Sequence, residues 1–259
     1  MAAMAVDQKT RDWADLETSG AVFTDVTKRF ADGTVALDPV SFSVHPGELV
    51  AVVGPSGCGK STLLRLASGL CAPSSGTINV GPGNVGYVFQ DATLLPWRNV
   101  RRNVELLAEL QGMDKPTCRA AASAAIETVG LTGFEGKYPR ALSGGMKMRA
   151  SLARALTMSP GLFLFDEPFG ALDEITRERL NDELQKLFLD RRFAALFVTH
   201  SVAEAVFLST RVLVMSGRPG RIVADVPIEL PYPRSPSLRY EPAFASRAGQ
   251  VGAALREGH

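Results

Sequence analysis

The sequence predicts an α/β protein: a mainly parallel sheet carrying a phosphate-binding loop, with a small antiparallel β layer and a helical insertion. Three observations lead there. Glu48–Val53 and Leu162–Phe165 are nearly all apolar rather than alternating, the pattern of strands covered on both faces. In the second half of the chain, candidate strands alternate with candidate helices, as crossover connections require. The first apolar run leads directly into Gly54-Pro55-Ser56-Gly57-Cys58-Gly59-Lys60-Ser61, which satisfies every fixed position of G-x-x-x-x-G-K-[ST].

Taken in order, residues 1–20 read as a flexible leader. Asp7, Asp12, Asp15 and Glu17 interrupt any apolar segment of the kind a signal peptide needs. Strand candidates follow at Val22–Phe30, Ser41–Val44, Glu48–Val53, Thr77–Val80 and Val85–Phe89, the early alternating ones forming the antiparallel layer. Ser61–Ser68 continues the loop as a helix, with Gly69 at a C-cap position. From about 91 to 156 the chain is rich in alanine and leucine and offers no strand. Val104–Leu110, Thr117–Val129 and Gly145–Thr157 there read as helices of a separate subdomain. Phe163–Phe165, Ala195–Val198, Val212–Met215 and Ile222–Val226 resume the strands. Between them Arg177–Phe188 lines up Leu180, Leu184 and Leu187 on one helical face. Pro227, Pro231, Pro233 and Pro236 mark 227–259 as a Pro/Arg-rich tail that wraps the surface.

Composition narrows the function. Of 259 residues, 46% are hydrophobic, enough for a large core, and 28 basic against 27 acidic residues leave a net charge of +1. That balance gives no reason to expect a nucleic-acid partner. Cys58, Cys71 and Cys118 form no C-x-x-C pair, so neither a disulfide framework nor a zinc site is indicated, and a reducing compartment fits. The longest apolar runs, such as Leu49–Val53 and Ala194–Val198, fall far short of the roughly 18–20 residues that span a bilayer. Work at a membrane would need another chain to supply the membrane part.

The loop Gly54–Ser61 lets backbone N–H groups turn inward around phosphate oxygens at a helix N-terminus. Lys60 is placed to reach β- and γ-phosphates and Ser61 to ligate Mg²⁺. Cys58 lies within the loop, so its alkylation is expected to be blocked by Mg-ATP. Leu162–Phe165 ends in Asp166 and Glu167, a carboxylate for the metal and one for the attacking water, or else an acidic turn before Pro168. Ser143-Gly144-Gly145 opens another helix, as a plain serine cap or as a second anion grip. A second grip is most useful on the nucleotide of another copy, which implies two chains arranged head to tail.

Together these residues resemble the ATPase subunit of an ATP-binding cassette (ABC) transporter, over about Val22–Val226. The resemblance implies a RecA-like P-loop NTPase fold over 21–226, with ATP and Mg²⁺ as cofactors. It makes Phe30 the residue that stacks on adenine and Gly54–Thr62 (Gly54, Pro55, Ser56, Gly57, Cys58, Gly59, Lys60, Ser61, Thr62) the Walker A loop. Gln90 resembles the Q-loop glutamine, Leu142–Met146 the family signature, Asp166 and Glu167 the Walker B aspartate and catalytic glutamate. Ala171-Leu172-Asp173 resembles the D-loop and His200 the switch histidine; Ser61, Gln90 and Asp166 would hold the metal. Met146 and Met148 stand where glutamine is frequent, and Gly76–Phe89 is short for the family, which implies a β layer lacking a hairpin. Leu94-Leu95-Pro96-Trp97 and Arg218-Pro219-Gly220-Arg221-Ile222 resemble the importer group for nitrate, sulfonates and taurine. That implies a peripheral subunit at the cytoplasmic face, docked to a permease through Leu94, Leu95 and Trp97, and indirectly to a solute-binding protein. The alternative placements are Leu94, Leu95 and Trp97 buried in their own subdomain, and a soluble ABC-type ATPase without a permease.

Overall fold

The computed structural model describes residues 20–258. Nearly all of the expected leader therefore lies outside the described residues. The elements in order are β1 (Ala21–Arg29), β2 (Val35–Val44), β3 (Leu49–Val53), α1 (Lys60–Ala67), β4 (Ser75–Val80) and β5 (Val85–Val88). Then come α2 (Val100–Leu110), α3 (Lys115–Thr128), α4 (Gly144–Leu156), β6 (Leu162–Asp166) and α5 (Glu174–Arg191). The chain finishes with β7 (Ala194–Val198), α6 (Val202–Leu208), β8 (Arg211–Met215), β9 (Ile222–Pro227) and α7 (Pro242–Glu257).

Two sheets form. A three-stranded antiparallel sheet runs β2-β1-β4, and a six-stranded sheet runs β5-β6-β7-β3-β8-β9. In the larger sheet β5, β6, β7, β3 and β8 are parallel neighbours. β9 pairs antiparallel with β8. The segment between them is too short for a crossover, which takes a dozen residues or more, so the chain can only turn back.

Burial on both faces explains the unbroken apolar runs. In β3, Leu49, Ala51 and Val53 enter one core with α5, α6 and α7, while Val50 and Val52 enter the other with α1, β1 and β2. β6 divides likewise, Phe163 and Phe165 to the first core, Leu162 and Leu164 to the second. A third, smaller core unites α2, α3 and α4 around Val100, Val104, Ile126 and Ala150. That helical unit is tied back by Arg154, buried at the end of α4. Its guanidinium donates to the Thr93 carbonyl at 2.9 Å, the Thr93 hydroxyl at 2.9 Å and the Ala92 carbonyl at 3.2 Å.

The structure departs from the sequence pattern in three places. β2 begins at Val35, earlier than Ser41, because Pro39 masks its first half; β2 is an edge strand, where proline is tolerated. α6 has seven residues, too few to show a helical period. The tail after 227 does more than wrap the surface: Leu238, Phe244 and Val251 are core residues. Arg234 locks it in place, donating to the carbonyls of Phe207 at 2.9 Å and Ser209 at 2.7 Å, with Gln185 bridging to its backbone. Burial lowers the Arg234 pKa to about 10.

The turn between β8 and β9 is threaded between β2 and the loop before α1. Gly220 donates to the Ala36 carbonyl at 3.0 Å and accepts from the Asp38 N–H at 3.1 Å. A Cβ on Gly220 would stand 2.0 Å from the Cys58 carbonyl oxygen and 2.6 Å from Met215 Cε. Gly220→Ala is therefore expected to cost about 2–3 kcal/mol in denaturant unfolding, as overpacking does. Gly217→Ala, whose Cβ meets nothing within 4 Å, is expected to stay within about 0.5 kcal/mol of the parent.

Candidate active site

The carboxyl ends of β3, β6 and β7 emerge side by side, and the residues that follow them make the site. After β3 the chain turns through Gly57 (φ +74) and Gly59 (φ +107), conformations that side chains rarely adopt. Gly59 has a second reason to be glycine: a Cβ would lie 2.7 Å from Leu37 Cδ2 and 2.9 Å from the Ala36 oxygen. Gly59 also occupies the N-cap of α1, so the first N–H groups of that helix face the loop. Lys60, 6% exposed, folds its ammonium into the loop, donating to the carbonyls of Gly54 and Pro55 at 2.9 Å each.

β6 ends at Asp166, and both its carboxylate oxygens are engaged. The Ser61 hydroxyl donates to Oδ1 at 2.8 Å and the Tyr87 hydroxyl to Oδ2 at 3.2 Å. Tyr87 was not signalled by any motif, because an aromatic residue on an apolar strand reads as core. Burial raises its phenol pKa, and the neighbouring Asp166 charge raises it further, so it stays a donor. Glu167 follows with φ +45, an uncommon value for a residue with a side chain, held by its N–H to the Val198 carbonyl at 3.0 Å. Its two oxygens face different partners: Lys60 Nζ at 3.9 Å and His200 Nδ1 at 3.2 Å. The tautomer carrying its hydrogen on Nδ1 can donate to that carboxylate oxygen.

Other expected residues stand further out. Phe30 lies just beyond β1, 39% exposed, with the Lys28 ammonium 5.4 Å from its ring centroid. Gln90 is exposed just after β5. Ser143 caps α4, its hydroxyl accepting from the Met146 N–H at 3.3 Å. A Cβ on Gly144 would meet Leu172 Cδ2 at 3.0 Å, and one on Gly145 would meet Thr176 Cγ2 at 3.0 Å and Leu180 Cδ1 at 3.7 Å. Asp173 caps α5, and the Thr176 backbone N–H holds its carboxyl below the usual range. The start of α4 thus packs on Leu172 and on Thr176 and Leu180 of α5, beside Asp173.

The site is that of a P-loop nucleoside triphosphatase: a glycine-rich loop, a buried lysine, and hydroxyl and carboxylate oxygens converging at one sheet edge. The ABC transporter family profile matches residues 37–170, over half the chain. The chain belongs to the ABC transporter family and is an ATPase of that family. It is 43% identical to a nitrate import ATP-binding protein of Synechocystis, covering 90% of this chain and 94% of that one. It is 42% identical to an aliphatic sulfonates import ATP-binding protein of Bacillus licheniformis, covering 84% and 87%. With a taurine import ATP-binding protein of Yersinia pestis it shares 46% identity over 74% and 78%. Among solved structures, a dimeric bacterial ABC transporter cassette superposes with a TM-score of 0.71 at 29% identity, over 81% of this chain and 99% of that one. A post-hydrolysis state of that cassette, bound to ADP and Pi, superposes equally well.

One expectation is corrected. Cys58 has no accessible surface, and its side chain points back toward Gly54. Burial pushes its thiol pKa up, which lowers the thiolate fraction further. Iodoacetamide is therefore expected to leave Cys58 unmodified in the native protein with or without Mg-ATP, and to modify half-buried Cys71 first. Peptide mapping checks this; nucleotide-sensitive labelling of Cys58 would contradict its burial.

Proposed function

We propose that this chain is the ATP-hydrolysing subunit of an ABC importer for a small organic or inorganic anion such as nitrate, a sulfonate or taurine. The observation that carries the reading is the convergence of Lys60, Ser61, Asp166, Glu167 and His200 at one sheet edge. Relatives named for nitrate, aliphatic sulfonate and taurine import support the solute class. The ATPase domain spans 21–226, with a helical subdomain at about 91–156 and the tail from 227.

Two copies meet head to tail. Gly54–Thr62 of one wraps the phosphates of an ATP whose far side meets Ser143–Gly145 of the other, and Asp173 lies at that contact. The dimeric cassette among similar structures supports this arrangement. Phe30 offers a half-open ring to adenine. Lys60 moves from the loop carbonyls to the β- and γ-phosphate oxygens. The hydroxyl and carboxylate oxygens of Ser61 and Asp166, with the amide oxygen of Gln90, suit Mg²⁺, which favours oxygen donors and few protein ligands. Mg²⁺ bound there would draw charge from the phosphoryl oxygens. Glu167 accepts the proton of the attacking water, and His200 reads the terminal phosphate.

No helix among the described residues is long and apolar enough to cross a membrane. The subunit docks at the cytoplasmic face onto a permease, which works with a solute-binding protein. Trp97, 71% exposed, is free to make that contact, while Leu94 packs partly on its own helical core. No nucleic acid takes part.

Glu167→Gln is expected to bind Mg-ATP normally, lose about 10²–10³ in turnover and accumulate as a dimer on gel filtration. Wild-type hydrolysis would exclude Glu167 as the base. Trp97→Ala is expected to leave ATP affinity unchanged and stability within about 0.5 kcal/mol, while co-purification with the permease falls. Loss of ATP binding, or unfolding, would place Trp97 in the subunit's own structure instead. A chain that pulls down no permease would be a stand-alone ATPase.

A further inference from the structure

Arg218-Pro219-Gly220-Arg221 makes up most of the turn between β8 and β9, and that turn lies against the phosphate loop. Ser216, which is buried, closes it. Its N–H donates to the Arg221 carbonyl at 2.9 Å, and its hydroxyl oxygen accepts from the Arg221 N–H at 3.0 Å. The same hydroxyl reaches the Gly217 carbonyl at 3.0 Å and the Pro219 carbonyl at 3.2 Å. Gly220 is paired with Ala36 and Asp38 of β2, so the turn is held from within and from a neighbouring strand.

The end of β8 and this turn meet the phosphate loop at three places. A Cβ on Gly54 would stand 3.0 Å from Met215 Cβ. A Cβ on Gly220 would collide with the Cys58 carbonyl oxygen. The third contact is made by a side chain. Arg218 Nε donates to the Gly57 carbonyl at 3.2 Å, and Nη2 lies 3.6 Å from where a Gly57 Cβ would be. Arg218 is exposed, yet the Gly57 carbonyl is its one side-chain hydrogen-bond partner among the described residues. None of the ion pairs among those residues uses it.

The bond matters because of the residue that accepts it. Gly57 has φ +74 and no side chain, so the Gly57–Cys58 peptide is free to turn unless something holds it. In a planar trans peptide the carbonyl and the N–H point in opposite directions. Arg218 draws the Gly57 carbonyl toward the β8–β9 turn, so the Cys58 N–H is directed the other way, into the loop. There it faces the Pro55 carbonyl at 3.4 Å, a long and weak contact. A phosphate oxygen in the loop is a stronger acceptor for that N–H.

We infer that Arg218 is a positioning residue for nucleotide binding: from the β8–β9 turn it holds the Gly57–Cys58 peptide with its N–H directed into the phosphate loop. The inference rests on the reading that Gly54–Thr62 wraps the phosphates. The grip is then formed before nucleotide arrives, and the glycine peptide needs no ordering on binding. Loss of Arg218 weakens ATP and ADP alike, because both carry phosphates into the loop. Glu167 and His200 are left as they were.

The test compares Arg218→Ala, Arg218→Lys and Lys60→Ala in the full chain. It measures ATP and ADP affinity, kcat, melting temperature, and the Cys58 backbone amide resonance of the nucleotide-free protein. Arg218→Ala is expected to bind both nucleotides about tenfold more weakly, as the loss of one charge-assisted hydrogen bond implies. Its kcat at saturating ATP should stay within about twofold, and its melting temperature within about 2 °C, because the side chain is exposed. The Cys58 amide resonance should move in Arg218→Ala. Arg218→Lys, whose ammonium can reach the same carbonyl, should recover most of both the resonance and the affinity. Parent affinity in Arg218→Ala beside lost binding in Lys60→Ala would overturn the inference. An unmoved Cys58 resonance would do the same, as would equal losses of affinity in Arg218→Ala and Arg218→Lys. Normal ATP binding by Lys60→Ala is a different failure: it would remove the reading of the phosphate loop on which the inference stands.

Discussion

The side-by-side pairing of β6, β7 and β3 is the constraint on which the rest of the molecule depends. Each of these parallel strands is five residues long and packed on both faces. Their shared direction delivers Gly54, Asp166–Glu167 and Thr199–His200 to the same edge, where open α/β sheets bind ligands. The loops are stitched to neighbouring strands as they leave: the Thr199 N–H donates to the Val52 carbonyl at 3.2 Å and the Glu167 N–H to the Val198 carbonyl at 3.0 Å. A one-residue slip would exchange the two cores and move the side chains of the candidate site out of line, so packing and site geometry select the same register.

The site also concentrates unusual backbone geometry. Gly57, Gly59 and Glu167 all have positive φ, and Glu167 has no glycine's freedom to relieve it. The surroundings hold it: β7 fixes its N–H, and its carboxylate is divided between Lys60 and His200. Strain of this kind persists only where neighbours over-determine it. The stiff parallel sheet below makes that possible.

Much of this was legible in the sequence, for identifiable reasons. Doubly buried strands cannot alternate, so Leu49–Val53 and Leu162–Phe165 announced the parallel sheet. Glycine, lysine and carboxylate spacing marked the loop and the ends of β3 and β6. Side-chain direction was not legible. Cys58 sits in the phosphate loop yet points into the core, and Tyr87 sits on an apolar strand yet turns its hydroxyl to Asp166. Pro39 hid half of β2, and α7 carries a weak apolar stripe because only Phe244 and Val251 are buried. Arg234 and Glu204 read as surface charges, since nothing local shows that a distant segment will cover them.

The buried Arg154 bond to Ala92 and Thr93 has a mechanical consequence. It pins one end of α4 to the segment leading to Trp97, and the opposite end of α4 carries Ser143. With about 1.5 Å of rise per residue, the two ends are about 16 Å apart. The helix is therefore a lever whose short arm is the Arg154 clamp. A tilt of about 10° imposed at Thr93 sweeps Ser143 through about 3 Å, roughly the length of one hydrogen bond. Such a rotation would also shift Met148 and Ala155, which α4 contributes to the core beneath the sheet, so the Ser143 end and that core would move together.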